Sequence, residues 1–129
     1  MKETISLLKK QADKVFSEYI RRRDADWKGE VICFTCFKTF RWQNTDAGHY
    51  EPRQFNNTRY DDRNVQVQCK TCNVWKGGQK TIFAVQLQKK YGKGILDDLR
   101  NKAKQTKQFT KDELKSIIKK YDRELLKYE

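Results

Sequence analysis

The sequence predicts a small α+β domain, mostly helical overall, with a metal-stapled core flanked by α-helices at both ends. Three observations carry that expectation. Four cysteines fall in two CxxC doublets, Cys33-Phe-Thr-Cys36 and Cys69-Lys-Thr-Cys72, and the single histidine, His49, lies between them. Apolar residues recur at helical spacing near both ends, while β-branched and aromatic residues concentrate between residues 31 and 42. Hydrophobic side chains make up only 36% of 129 residues, so the core is modest, and small cores commonly need a metal or disulfides.

The elements follow in three segments of one compact domain. Residues 1–30 place Ile5, Leu8, Ala12, Val15, Phe16, Tyr19 and Ile20 on one helical face, with Gly29 as the expected stop. The run Arg21-Arg22-Arg23 reads either as a solvated helix end or as a DNA contact. Residues 31–91 form the core. Val31-Ile32 and Phe37–Trp42 suit two short strands around the first cysteine doublet, and Gln54–Asn64 suits a long irregular loop. A helix is expected from Thr71 or Asn73 to about Tyr91, ended by Gly92 and Gly94. Residues 92–129 form a basic helical extension, with one helix over Ile95 to about Lys104. A second helix starts at the capping-box signature Thr110-Lys-Asp-Glu113 and carries the stripe Leu114, Ile117, Ile118, Tyr121 and Leu125. That stripe is expected to pack against the first helix, although helices at both ends also allow a homodimer. Trp27, Trp42 and Trp75 read as packing residues.

Charge points towards polyanions. The chain carries a formal +12, and residues 76–129 hold 15 basic against 7 acidic side chains, which is +8 of that excess. Each phosphate neutralised by Lys or Arg releases counterions, so DNA or RNA is a natural partner. Ribosomal-type proteins and membrane-surface binders share such a composition, and charge alone leaves those classes open. The N-terminal MKETISLLKK interrupts its apolar residues with charge, so no signal peptide is expected. No apolar run reaches the ~18–20 residues of a membrane span, which predicts a cytoplasmic protein without a membrane partner. In a reducing compartment, Cys33, Cys36, Cys69 and Cys72 read as four thiolates on one structural zinc ion. Two disulfides or four unrelated core thiols are the alternatives.

The residues between and beside the doublets suit phosphodiester hydrolysis. That reaction needs a base for water, charge stabilisation on phosphate and help for the leaving oxygen. His49 is the candidate general base. Asn73 follows the last cysteine directly and is a candidate oxygen ligand for a catalytic magnesium or manganese ion, with Asp46 as a second. Arg53, Lys76 and Lys80 are candidate nucleic-acid contacts, and helical spacing would set Lys76 on the Asn73 face. Asn64 reads as a turn cap or as the organiser of the active-site loop. Arg53 and Lys76 also fit as ordinary solvated charges.

At His49, Asn64 and Cys69-x-x-Cys72-Asn73-x-x-Lys76 the chain resembles the HNH (ββα-metal) endonuclease superfamily. More narrowly, Asp46-Ala-Gly-His49 with Gln68-Cys-Lys-Thr-Cys-Asn73 looks like the NinG/Rap group of phage recombination nucleases. The resemblance covers residues 31–91 and, more loosely, the helices beyond. It implies a ββα-metal core: a hairpin ending at the general base His49, a loop held by Asn64, and a helix bearing the metal-binding Asn73. It further implies cutting of branched DNA, such as Holliday junctions or D-loops, by a protein encoded by a phage or prophage and working in the bacterial host cell. One departure stands out. Many HNH sites place an Asp or His directly before the base as a metal ligand, and here that position is Gly48, leaving Asp46 as the nearest substitute. A non-catalytic zinc-stabilised nucleic-acid-binding module is the alternative function, as is an HNH nuclease used for restriction, homing or packaging.

Overall fold

Helix α1 (Ile5–Arg22) opens at Thr4, whose hydroxyl accepts the Leu7 N–H at 3.1 Å in the computed structural model, which describes residues 3–129. It buries Leu8, Ala12, Val15, Phe16 and Ile20, the stripe expected from their spacing. The helix ends at Arg22 and not at Gly29. Arg23 turns aside, donating to the Asp62 and Val65 carbonyls and to Gln66 Oε1. Asp26 then caps a separate turn by accepting the Lys28 and Glu30 N–H groups, and Gly29 serves that turn with φ +77°.

Strands β1 (Glu30–Ile32) and β2 (Thr39–Arg41) pair antiparallel around the first CxxC doublet, as expected. A second antiparallel hairpin joins β3 (Thr45–His49) to β4 (Val65–Cys69), in register from Thr45 opposite Cys69 to His49 opposite Val65. The connection between them contains one helical turn, α2 (Asn56–Arg59).

The helix expected from Thr71 or Asn73 to Tyr91 is broken. Thr71–Trp75 forms a wide turn closed by the Lys76 N–H on the Thr71 carbonyl at 2.9 Å. Gly77, Gly78 and Gln79 then take positive φ, and α3 (Lys80–Tyr91) begins afresh. No continuous helical face therefore joins Lys76 to Asn73. Helix α4 (Ile95–Lys104) matches the expected bounds, and α5 (Lys111–Leu125) starts at Thr110 with the expected capping box formed in both directions.

Helix α1 is the centre of the packing. On one side it meets α5, with Leu8, Ala12 and Leu114 in one cluster and the Phe16 and Tyr121 rings 4.9 Å apart. On the other it covers Val65 and Ala47 of the β3–β4 hairpin. A separate core joins α3 to α4 through Phe83, Leu87, Ile95 and Leu99. The expected packing of the last helix on the first thus occurs within one chain. The tryptophans depart from expectation: Trp27 is 89% and Trp75 83% exposed, so neither packs. Trp42 is half-buried beneath the Arg21 and Arg22 guanidinium groups, 5.3 and 4.7 Å from its ring. Two of the three consecutive arginines are thus stacked, and the third is spent on carbonyls. Among the described residues, no helix is long and apolar enough to cross a membrane.

Candidate functional site

The two CxxC doublets converge. All four Sγ atoms lie within 4.8 Å of one another, and Cys36 Sγ is 3.8 Å from Cys69 Sγ. A tetrahedral zinc ion with Zn–S bonds of ~2.3 Å sets its sulfurs about 3.8 Å apart, so the donor set fits. The local backbone favours thiolates: the Cys69 N–H donates to Cys33 Sγ at 3.3 Å and the Cys72 N–H to Cys69 Sγ at 3.4 Å. Burial would raise the Cys33 thiol, but donors from Cys69, Thr35 and Cys36 outweigh it and bring it down to about 6. Burial and its sulfur neighbours push Cys72 up to about 12, a conflict that a dication would relieve. The cysteines are free thiols, not disulfides, and four of them could hold an ion such as zinc. Four thiolates fill a tetrahedral zinc, which suits a structural role.

The staple joins the end of β4 to the β1–β2 hairpin, which in turn fixes β3 beside β4. His49 closes β3. Its Nε2 lies 3.0 Å from the Arg59 carbonyl. A carbonyl only accepts, so Nε2 carries the proton of the neutral ring and Nδ1 the lone pair. Burial lowers the imidazole to about 4, and the Arg53 and Arg59 charges add to the effect. The ring is therefore neutral at pH 7. It lines a pocket of about 100 Å³ shared with Asp13, Phe16, Ser17, Ala47 and Arg53.

Asn64 organises the loop between the strands. Fully buried, it accepts the Glu51 N–H at 2.7 Å and donates to the Glu51 and Thr58 carbonyls at 3.0 and 3.1 Å. One side chain thus pins both flanks of the loop, and a truncated residue would take a partner from the Glu51 N–H and carbonyl.

Asn73 and Asp46 come together. Asn73 Nδ2 donates to Asp46 Oδ2 at 3.0 Å, and Lys70 Nζ reaches Asp46 Oδ1 at 2.8 Å. Although Asp46 is partly buried, these donors hold its carboxyl below the usual range. Its carboxylate and the Asn73 carboxamide oxygen are hard donors of the kind that magnesium or manganese takes, with water and substrate completing the shell. His49 does not join them. Side chains alternate along β3, so Asp46 and Gly48 share one face while Ala47 and His49 share the other. Neither Asp46 nor Asn73 lines the His49 pocket.

Gly48 has a steric cause. A Cβ there would lie 1.8 Å from Gln68 Oε1 and 2.7 Å from its Cδ. Gln68 cannot swing away, because its Nε2 donates to the Thr35 hydroxyl and the Gly78 carbonyl at 3.0 and 2.9 Å. The carboxamide lies where a ligand at position 48 would start, and its buried Oε1 has no hydrogen-bond partner.

The cationic candidates divide. Lys76 is exposed. Arg53 donates to Asp13 Oδ2 at 2.8 Å. Lys80 Nζ holds the His49 and Tyr50 carbonyls, the latter at 2.9 Å, so it braces the end of β3. Sequence reasoning missed Asp13 and Arg59, which border His49, and Tyr60, whose hydroxyl donates to Asp13. Asp13 lies on α1 and looks like any polar residue between apolar ones, and no local signal marks it.

Comparison with known proteins gives a consistent result. The family described as "Bacteriophage Lambda NinG protein" matches residues 2–129. Over 117 residues, 90% of this chain, the sequence is 32% identical to "Protein ninG" of Salmonella phage P22, covering 55% of that protein. It is 31% identical to "Protein ninG" of Escherichia phage 933W over the same shares, and 30% identical to that of Escherichia phage lambda, covering 54% of it. The chain thus spans about half the length of the curated relatives it matches. No solved structure matches. With nearly every residue covered by the family match, this chain belongs to the NinG family of bacteriophage proteins.

Proposed function

We propose that this chain is a metal-dependent DNA endonuclease of the HNH type, acting on branched recombination intermediates. The observation that carries the reading is His49: a neutral imidazole at the end of a hairpin strand, with Nε2 anchored on the Arg59 carbonyl and the Ala47 main chain also against the ring. The order of elements supports it, since the hairpin β3–β4 is stapled by cysteines at the point where Asn73 follows. In this reading His49 Nδ1 takes a proton from the attacking water. Arg53, beside the pocket, offers charge to a neighbouring phosphate. A magnesium or manganese ion would supply charge stabilisation for the phosphate and leaving oxygen. Asp46 and Asn73 offer oxygens for one, but on the face of β3 opposite His49, outside its pocket. Four-cysteine zinc keeps the scaffold and takes no part in the chemistry.

The second reading is a zinc-stapled nucleic-acid-binding module without catalysis. It draws on the placement of His49 and the Asp46–Asn73 pair on opposite faces of β3. Restriction, homing or packaging would use the same chemistry on other substrates. One assay separates these readings: purified protein on a four-way junction and its matched duplex, with magnesium, manganese or EDTA, and His49→Ala in parallel. The expected outcome is metal-dependent junction cutting that falls by at least ~100-fold in the variant, the scale of losing a general base. Binding without cutting under every condition would leave the binding module standing, and preferred cutting of the duplex would move the nuclease to another task.

A further inference from the structure

The segment that orients His49 has almost no means of holding itself. Helix α2 is a single turn of four residues, far below the length at which a helix is stable alone. Its position therefore comes from bonds to other elements. Asn64 takes the Thr58 carbonyl from one side. Asn56 Nδ2 and Asn57 Nδ2 donate to the Lys107 and Gln105 carbonyls beyond α4 at 2.9 and 2.8 Å, and further bonds come from α1, at two positions one helical turn apart. Lys9 Nζ donates to Asn56 Oδ1 at 3.1 Å at the start of α2. At its end, Asp13 receives Arg59 Nε at 2.8 Å, Arg59 Nη2 at 2.5 Å and the Tyr60 hydroxyl at 2.8 Å. Arg53 Nη2 adds a fourth donor at 2.8 Å. Arg59 closes the circle by donating Nη1 to the Arg53 carbonyl at 2.9 Å.

The consequence falls on the imidazole. The residue gripped by Asp13 is the residue whose carbonyl meets His49 Nε2. A carboxylate that accepts a two-pronged guanidinium fixes both the position and the rotation of that group, and so restrains the residue that bears it. Both oxygens of Asp13 are engaged by Arg59, Tyr60 and Arg53, and its side chain lines the pocket of His49. The Arg59 and Asp13 side chains are 13% and 21% exposed, so the fork is shielded from the competition that weakens surface ion pairs.

We propose that Asp13 is a positioning residue for His49: by clamping Arg59 and Tyr60 it keeps the Arg59 carbonyl on Nε2 and so selects the ring tautomer with its lone pair on Nδ1. The catalytic part of this inference rests on the endonuclease reading, whereas the tautomer does not. The charged groups facing the ring are Asp13 from α1, and Arg53 and Arg59 from the loop and α2, with the Lys80 ammonium on the His49 carbonyl from α3. Asp13→Asn removes the only carboxylate among them. It leaves the Arg59 cation without its partner, and the guanidinium is expected to leave for solvent and take its carbonyl along.

His49 is the only histidine, so its ring nitrogens can be read without ambiguity in the zinc-loaded full chain by long-range proton–nitrogen NMR. The unmodified protein is expected to show a single Nε2–H tautomer, and Asp13→Asn a mixture in which Nδ1–H is populated. On the junction substrate, kcat is expected to fall about 10- to 100-fold with KM changed less than about twofold, the scale for losing a partner that orients an imidazole. An Asp13→Asn protein that binds zinc, unfolds cooperatively and keeps the pure Nε2–H tautomer would overturn the proposal. Should that variant not fold, Arg59→Lys keeps the charge, loses the fork, and is read by the same spectrum with the same two outcomes. A protein that cuts no DNA sinks the endonuclease reading, while the tautomer still decides the role of Asp13.

Discussion

Glycine 48 is where one missing side chain decides the chemistry open to its neighbours. A substituent there meets the pinned Gln68 carboxamide at under 3.0 Å. Gly48→Ala is therefore expected to lower stability by about 1–3 kcal/mol, the cost of forcing extra atoms into a packed site, as measured by urea unfolding with zinc present. Gly48→Asp, which puts more atoms and a charge into the same space, is expected to be worse. A Gly48→Ala protein as stable as its parent would mean that Gln68 can move and that position 48 is open to a ligand. Residue identity was legible in the sequence where the chemistry was local. The four cysteines and the loop-holding Asn64 were found from spacing and resemblance. The opposite facing of Asp46 and His49 was not drawn out, although the strand period contains it once β3 is known. Asp13 could not be found at all, because its role is made by residues some forty positions away.

Among the elements, the cysteine staple does most to hold a short strand pair in place. Strands of three and five residues form two separate two-stranded sheets, and such hairpins are marginal alone. An ion held by the four thiols would cross-link them and make metal binding part of folding. Cys72→Ser is expected to abolish stoichiometric zinc and to lower Tm by about 10 °C or more, read by metal analysis and a thermal melt. A variant that melts with the parent would mean that the thiols pack without a metal. Helices whose ends carry local chemistry were legible: the capping box set the start of α5, and Gly92 and Gly94 separated α3 from α4. The break at Gly77-Gly78 was missed because helical periodicity continues on both sides of it. The two adjacent glycines were the available signal, since both adopt positive φ.

At the scale of the whole molecule, acid acts on two groups in separate windows. His49 falls from its ordinary 6.5 to about 4 on folding, so the unfolded chain takes up a proton first, and stability is lost as pH drops from 6.5 to 4. Asp61 is lowered to about 2: burial opposes ionisation, but Arg63 and Lys102 outweigh it. Its contribution is complete above its ordinary 3.8 and is lost as pH falls towards 2. Across their windows these shifts are worth about 3 kcal/mol for His49 and about 2 kcal/mol for Asp61. Urea midpoints measured from pH 7 to 2 are expected to show the upper loss flattened in His49→Ala and the lower one in Asp61→Asn. With zinc on the four cysteines, protonation of the thiolates would add a common slope that the variants leave in place. Variants with unchanged slopes would mean that neither group is shifted in the folded protein. The α+β class, the helical flanks and the packing of the last helix on the first were all legible, because long amphipathic stripes have few other ways to be buried. The exposure of Trp27 and Trp75 was not, since an apolar residue between elements gives no indication of which side it faces.

The central position of α1 also sets an order in time. Its two faces are claimed by a hairpin that ends at Cys69 and by a helix that begins about a hundred residues after its own start. On the ribosome, at ~5–20 residues per second, the first helix waits on the order of ten seconds for its last partner. During that interval its Leu8 and Ala12 side lies bare, and the clamp on Arg59 hangs from an unsecured support. The pocket of His49, lined from Asp13 to Arg53, has all its own residues in place before α5 emerges to cover the other side of the first helix.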